Sequence, residues 1–381
     1  MITSIRKHDW ILTFTLLLFS IISICAIYSA TFHVAIDSPF RGIHIRMIIY
    51  YALGFVAMLL CGSLDMNSLN RMSPVIYVIG LLLLIYVLVA GMTINKASGW
   101  ISLPFGFSFQ PAEVFKLILV IMLSSYLAKK LKQPSLFFWK DIVPFTAISL
   151  IPFILVVVQP DLGNAMAFVF IFICLIWVGN MKGSQFIIMI SISVALLLLS
   201  IQLYTNNHTS IENYFKLHEK KHWVERIDTF LYPEKASANI TYHIDHAIIA
   251  IGSGRITGDG YLQGNSVHQD YVPYVYSDSI FVVIAEEFGF VGSSVVLLLY
   301  MLLIHRIVLI SIQAPDGFSR FLAIGIASIF LFQIFQNIGM HVRLMPMTGI
   351  TLPFISYGGT SLITNMIAIG IVQSIKARSS S

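Results

Sequence analysis

The sequence predicts an all-α polytopic membrane protein, with about ten transmembrane helices and one large loop between the seventh and the eighth. Three observations predict it. Of the 381 residues, 57% are hydrophobic and only 11% are charged, whereas an ordinary soluble domain is roughly a quarter charged. The apolar residues gather in ten runs, each long enough for a hydrocarbon core of about 30 Å, which a helix of about 20 residues crosses. Lysine and arginine crowd the segments on one side of those runs.

In order, the runs cover residues 10–30, 46–62, 74–92, 112–128, 142–158, 162–178, 185–204, 279–304, 321–340 and 359–375. The first is kept as a helix because its apolar stretch, Trp10 to Ala30, is too long for a cleaved signal and no small-residue cleavage site follows. The whole chain, 1–381, is expected to form a single membrane unit, with residues 205–278 as its only sizeable loop. Short amphipathic helices on the membrane face suit that loop's mixture of aromatic and charged residues.

With 24 glycines and 13 prolines, composition argues against collagen, low-complexity and disordered classes. Cys25, Cys61 and Cys174 lie far apart in apolar runs, which supports neither a disulfide framework nor a thiolate metal site. The net charge of +5 reflects basic residues flanking membrane spans rather than a nucleic-acid partner.

Ten spans put both termini on one side, and the basic residues choose which. With the N-terminus inside, the cytoplasmic segments hold Arg6, Lys7, Arg71, Lys129, Lys130, Lys132, Lys140, Lys182, Arg306, Arg320, Lys376 and Arg378, against Arg41, Arg46, Lys96 and Arg343 in the short outer segments, twelve against four. Both termini are therefore expected in the cytoplasm. On that assignment, four segments rich in Gly, Pro and polar residues fall outside: 99–116, 159–163, 205–278 and 345–359. Irregular backbone at membrane depth is tolerated where it is buried in protein or lines a wet cavity, so one outer site built from four loops is expected.

The first segment carries Gly99, Trp100 and Gln110-Pro111-Ala112-Glu113, with Lys116 three residues beyond Glu113 on the same helical face. Ionisable groups within a span are costly and are usually functional or paired; the plainer alternative is an internal Glu113–Lys116 ion pair. In the second, Gln159-Pro160-Asp161-Leu162-Gly163 joins two spans with almost no loop, and Asp161 suits a helix N-cap. The glycine-rich stretch 251–260 resembles a phosphate loop superficially, but its spacing fits neither the dinucleotide nor the Walker pattern. His243 and His246 stand at helical spacing without an evident third metal ligand. Tyr276-Ser277-Asp278-Ser279 runs straight into the eighth span, which contains Glu286 and Glu287; Asp278 serves there either as a cap or as a general base. The segment from Met345 to Thr360, including Ser356, suits a broken or re-entrant stretch lining a cavity, and Arg343 precedes it.

Gln110-Pro111-Ala112-Glu113 with Lys116, Gln159-Pro160-Asp161-Leu162-Gly163, Ala250 to Gly254, Ser277-Asp278 ahead of Ala285 to Gly292, and Pro346 to Gly359 occur in the order found in the SEDS family, the RodA, FtsW and SpoVE proteins. The chain resembles that family over nearly its whole length, and its short tails look most like RodA. The resemblance implies a peptidoglycan glycosyltransferase that polymerises lipid II at the outer face of the bacterial cytoplasmic membrane, for elongation or division, beside a class B penicillin-binding protein. It makes Asp278 the essential carboxylate and Glu113, Lys116, Asp161 and Glu286 sensitive positions, with Trp100, Gln110, Arg343 and Ser356 as supporting candidates. The chain departs from the family pattern at Gly99, Arg255, His243, His246, Tyr276, Ser277 and Arg343.

That chemistry needs a base for the attacking sugar 4-hydroxyl and positive charge for the departing pyrophosphate. Asp278 is the expected base. Lys116, Arg343, Arg255 and a divalent cation, magnesium or manganese, are candidates for the second task; no organic cofactor is expected. Two rival readings are a flippase for lipid-linked precursors and a non-catalytic scaffold for a transpeptidase. Carriers usually bind near the midplane between inverted repeats, whereas these motifs cluster on one face.

Overall fold

In the computed structural model the described residues are 8–33, 40, 42–94, 97–102, 108–130, 139–179, 183–217, 224, 228, 232, 238–269 and 271–379. The membrane helices are α1 (Trp10–Ala30), α2 (Ile43–Cys61), α3 (Met66–Ala90), α4 (Pro111–Lys130), α5 (Trp139–Val158), α6 (Leu162–Val178) and α7 (Gly183–Asn206). After the loop helices α8 (His208–Leu217), α9 (Ala238–Ser253) and α10 (Asn265–His268) come α11 (Ile280–Ile312), α12 (Gly317–His341) and α13 (Gly359–Ser379). Among the described residues nine helices are long and apolar enough to cross a membrane and α6 is a shorter apolar helix, so each of the ten expected spans has its helix.

Helix α3 starts at Met66, well before the expected residue 74. Pro74 and the polar residues ahead of it resemble a stop, yet Asp65 caps the helix by accepting from Ser68 N at 2.9 Å. Proline has no N–H to offer the carbonyl one turn earlier. That carbonyl, on Asn70, accepts instead from Ser73 Oγ at 2.8 Å and from Ser125 Oγ of α4 at 3.4 Å. Hydroxyls thus satisfy the freed group within the bundle.

The segment before α4 is more regular than the sequence predicts. Strands β1 (Met92–Ile94), β2 (Ala97–Ser102) and β3 (Ser108–Phe109) form an antiparallel sheet in the order β1-β2-β3. Trp100 lies opposite Met92, and Ile101 opposite Phe109. Part of this segment, residues 95–96 and 103–107, lies outside the described residues.

Helix α13 has 72% of its apolar window buried, and the enclosed pair α4 and α12 has 72% and 78%, against 28% for α3 and 22% for α5. Helices α4 and α12 meet closely at Gly325, where an added Cβ would stand 2.3 Å from Val120 Cγ1. Small residues at such crossings let backbones approach where no hydrophobic force drives helices together. Helix α13 packs mainly on α2, α11 on α12, and α9 on α11. Part of the long loop is therefore docked on the bundle.

Candidate active site

Four loop segments lie along one end of this frame. At the entrance to α4, Pro111 takes the first helical position, where its missing N–H costs nothing. Glu113 and Lys116, both buried, form an ion pair at 2.8 Å on one face of that helix. Glu113 Oε1 makes the pair, while Oε2 is buried without a hydrogen-bond partner among the described residues. Gln110 Nε2 donates to Asp161 Oδ2 at 2.7 Å. Asp161 also caps α6, accepting from Asn164 N at 3.1 Å and from Asn164 Nδ2 at 2.9 Å. Burial raises the Asp161 carboxyl, the Asn164 hydrogen bonds oppose this, and Glu113 and Lys116 both act on it through space. The first two polar segments of the sequence thus form one buried cluster.

That cluster leads to Asp278. A Cβ on Gly163 would sit 2.6 Å from Ile350 Cγ1 and 3.2 Å from Thr348 Cβ, so α6 begins directly against the Thr348–Ile350 turn. Between those residues Gly349 has φ +72°, and a Cβ there would stand 3.1 Å from Asp278 Oδ2. The turn needs glycine both for its left-handed backbone and for its closeness to the carboxylate. Asp278 itself is part-exposed.

The groups holding Asp278 come from α12 and were missed in the sequence. Asn337 Nδ2 donates to the Asp278 carbonyl at 2.8 Å and to the Ile350 carbonyl at 2.7 Å. His341 Nε2 lies 3.0 Å from the same Asp278 carbonyl. Since a carbonyl only accepts, this nitrogen carries the proton. Gln336 Nε2 donates to Pro346 O at 2.8 Å and to Thr348 Oγ1 at 3.0 Å. These side chains are buried, and Asn337 and His341 are four residues apart, with Gln333 and Gln336 close by, in a mostly apolar helix. That one-sided polar spacing is the signal that could have found them.

Glu286 and Glu287 anchor the loop instead. Glu286 is 0% exposed and accepts from Ser266 N at 2.7 Å, and Glu287 accepts from the Ser29 hydroxyl. The main chain reinforces them: Asp259 N donates to Glu286 O at 3.0 Å and Gly260 N to Glu287 O at 3.1 Å. The glycines that resemble a phosphate loop are needed for this contact, since a Cβ on Gly254 would lie 2.0 Å from Ala285 O and one on Gly258 2.1 Å from Glu287 O. Opposite them Gly289, at φ +62°, kinks α11. The stretch is a backbone clasp.

Among the remaining candidates, Ser356 Oγ is buried and accepts from Leu352 N at 2.8 Å, fixing the turn before α13. Trp100 lies on β2 beside Gly99, whose Cβ would stand 3.7 Å from Gln159 Oε1. Arg343 is ion-paired with Asp245 of α9 on an exposed surface. Arg255 is exposed, and its carbonyl accepts from Phe290 N at 2.9 Å. His243, lowered by burial and by His246, stays neutral. Among the described residues, no three His, Cys, Asp or Glu side chains gather as metal ligands.

Fold and site together define a polytopic helical membrane protein with a part-exposed carboxylate held beside buried polar anchors at one end of its bundle. Residues 8–381 match the FtsW/RodA/SpoVE family, described as a cell cycle protein, and the chain belongs to that family. It is 32% identical to the probable peptidoglycan glycosyltransferase FtsW of Wigglesworthia glossinidia brevipalpis, covering 97% of this chain and 94% of that protein. It is 31% identical to the peptidoglycan glycosyltransferase MrdB of Escherichia coli K12, covering 92% and 90%. Among solved structures, a peptidoglycan synthase complex studied for how polymerisation and crosslinking are coordinated superposes with a TM-score of 0.77 at 26% identity, covering 98% of both chains. Thermus thermophilus RodA gives 0.68 at 25% identity, also covering 98% of both chains.

Proposed function

We propose that this chain is a peptidoglycan glycosyltransferase that polymerises lipid II. The observation that carries the reading is whole-length kinship with relatives named for that activity. The site is chemically suited to it. Asp278 accepts the proton of the attacking 4-hydroxyl as that oxygen bonds to the anomeric carbon, and the bond to the polyprenyl pyrophosphate breaks. Asn337 and His341 hold Asp278 by its main-chain carbonyl, and its carboxylate lies beside the Gly349 turn. Lys116, held by Glu113, places positive charge deeper in the bundle.

Magnesium commonly combines one or two carboxylates with substrate phosphates. The described residues do not gather three ligands of the kind that would hold a cation alone. The polyprenyl tail lies between helices, and both termini lie in the cytoplasm, by the basic-residue asymmetry. A class B penicillin-binding protein is the expected crosslinking partner.

The deciding measurement gives the purified chain lipid II, with and without that partner, and looks for glycan strands. Strand formation supports the reading, and its absence in both reactions rejects it. A cytoplasm-only reporter should be active at the C-terminus and silent when inserted at Thr209. The reverse pattern would invert the topology.

A further inference from the structure

An aromatic row lies beside Asp278. Tyr276, two residues before it, stacks on Phe40 with ring centroids 5.2 Å apart and planes 29° apart. Tyr276 also meets Tyr357 at 6.1 Å with the planes 73° apart, and Tyr357 meets Tyr50 of α2 at 5.9 Å. The row is fixed by the backbone, because Tyr357 N donates to Tyr276 O at 3.0 Å. It is also fitted by a glycine: a Cβ on Gly359 would stand 2.6 Å from Tyr50 Cζ. Phe40 is 44% exposed, Tyr276 and Tyr357 are part-exposed, and Tyr50 is buried. The row therefore runs from the surface into the bundle past the candidate base.

We infer that Tyr276, with Phe40 and Tyr357, forms a saccharide-stacking platform that holds the sugar presenting its hydroxyl to Asp278. This rests on the glycosyltransferase reading above. A pyranose has an apolar face of C–H groups, and an aromatic ring carries a negative face that attracts their positive edges. The sugar's equatorial hydroxyls then fall at the ring rim, within reach of donors. Burial, aided by Tyr274, Asp278 and Tyr357, pushes the Tyr276 phenol up to about 12, so it is a protonated donor at neutral pH. A polyprenyl tail would also favour aromatic rings. The surface end of the row, the phenol groups and the adjacent carboxylate favour a sugar.

The test compares full-length Tyr276→Phe and Tyr276→Leu, which keep similar bulk while only the first keeps a ring. In lipid II polymerisation with the partner present, Tyr276→Phe should hold KM within about threefold of the parent, and Tyr276→Leu should raise KM at least about tenfold while kcat falls less. Equal KM for the two overturns the platform. A second readout needs no turnover: saturation-transfer NMR of a soluble N-acetylglucosamine tetramer on the unsubstituted chain should show contact that Tyr276→Leu abolishes. No contact, contact unchanged by Tyr276→Leu, or displacement of the tetramer by a polyprenyl phosphate alone overturns the proposal, the last in favour of a lipid tail. Tetramer contact through Tyr276 without glycan synthesis by the parent sinks the polymerase reading and leaves the platform standing.

Discussion

Asp278 and Glu286 stand eight residues apart across the start of one helix, and the fold uses them in opposite ways. Glu286 is fully buried and its carboxylate receives a main-chain N–H of the loop. Asp278 is held by its carbonyl, through Asn337 and His341, and its carboxylate reaches the part-exposed side beside Gly349. A carboxylate that anchors a loop needs only to be an acceptor; one that takes a proton must keep its basicity and its access. On the proposed reading, where a carboxylate is gripped separates structure from chemistry better than its position in a span.

The sharpest break of this comparison is Asp278→Asn, which keeps shape and loses the base. General-base loss costs about 100- to 10,000-fold in rate, so glycan synthesis should nearly vanish while membrane insertion and melting temperature hold. Activity within a few-fold of the parent would remove Asp278 from the chemistry. Next in size is Lys116→Met, which leaves Glu113 buried and unpaired; breaking a buried pair costs about 3–5 kcal/mol. Thermal unfolding in detergent should show that loss, and adding Glu113→Gln should recover most of it if the pair is structural. Persistent inactivity in the refolded double variant would assign Lys116 to substrate.

Asn337→Leu tests the grip itself. It orphans the Asp278 and Ile350 carbonyls from this amide, at about 1–3 kcal/mol, and should lower polymerisation about tenfold with the carboxylate still present. Unchanged rates would mean that His341 alone suffices to position Asp278. The smallest effect is expected for Glu286→Gln, which keeps an acceptor for Ser266 N–H and should cost about 1 kcal/mol with rates within a few-fold. A collapse as deep as that of Asp278→Asn would erase the distinction between the two carboxylates.

Much of the site was visible in the chain. Glu113 and Lys116 at helical spacing, Asp161 at a span boundary and Asp278 at a helix start are local patterns, and local patterns survive in a sequence. The pairing of Gln110 with Asp161, 51 residues away, is not local. Neither are the Gly349 approach to Asp278 and the engagement of Arg343 by Asp245, because each depends on which helices become neighbours. Asn337 and His341 left a legible polar stripe, but their target is a main-chain carbonyl, which has no sequence signature.

By itself the sequence determined the ten apolar runs, because the bilayer demands length and hydrophobicity residue by residue, without reference to partners. It also determined that the polar segments share one end of the bundle, since alternating spans leave them no choice. The tertiary structure alone decided which carboxylates anchor and which remain accessible, how Pro74 fits inside α3, and why a glycine stretch that mimics a phosphate loop is a clasp on α11. Those outcomes turn on contacts a few ångströms long between residues far apart in the chain. Close packing sets such distances only once the helices have chosen their neighbours.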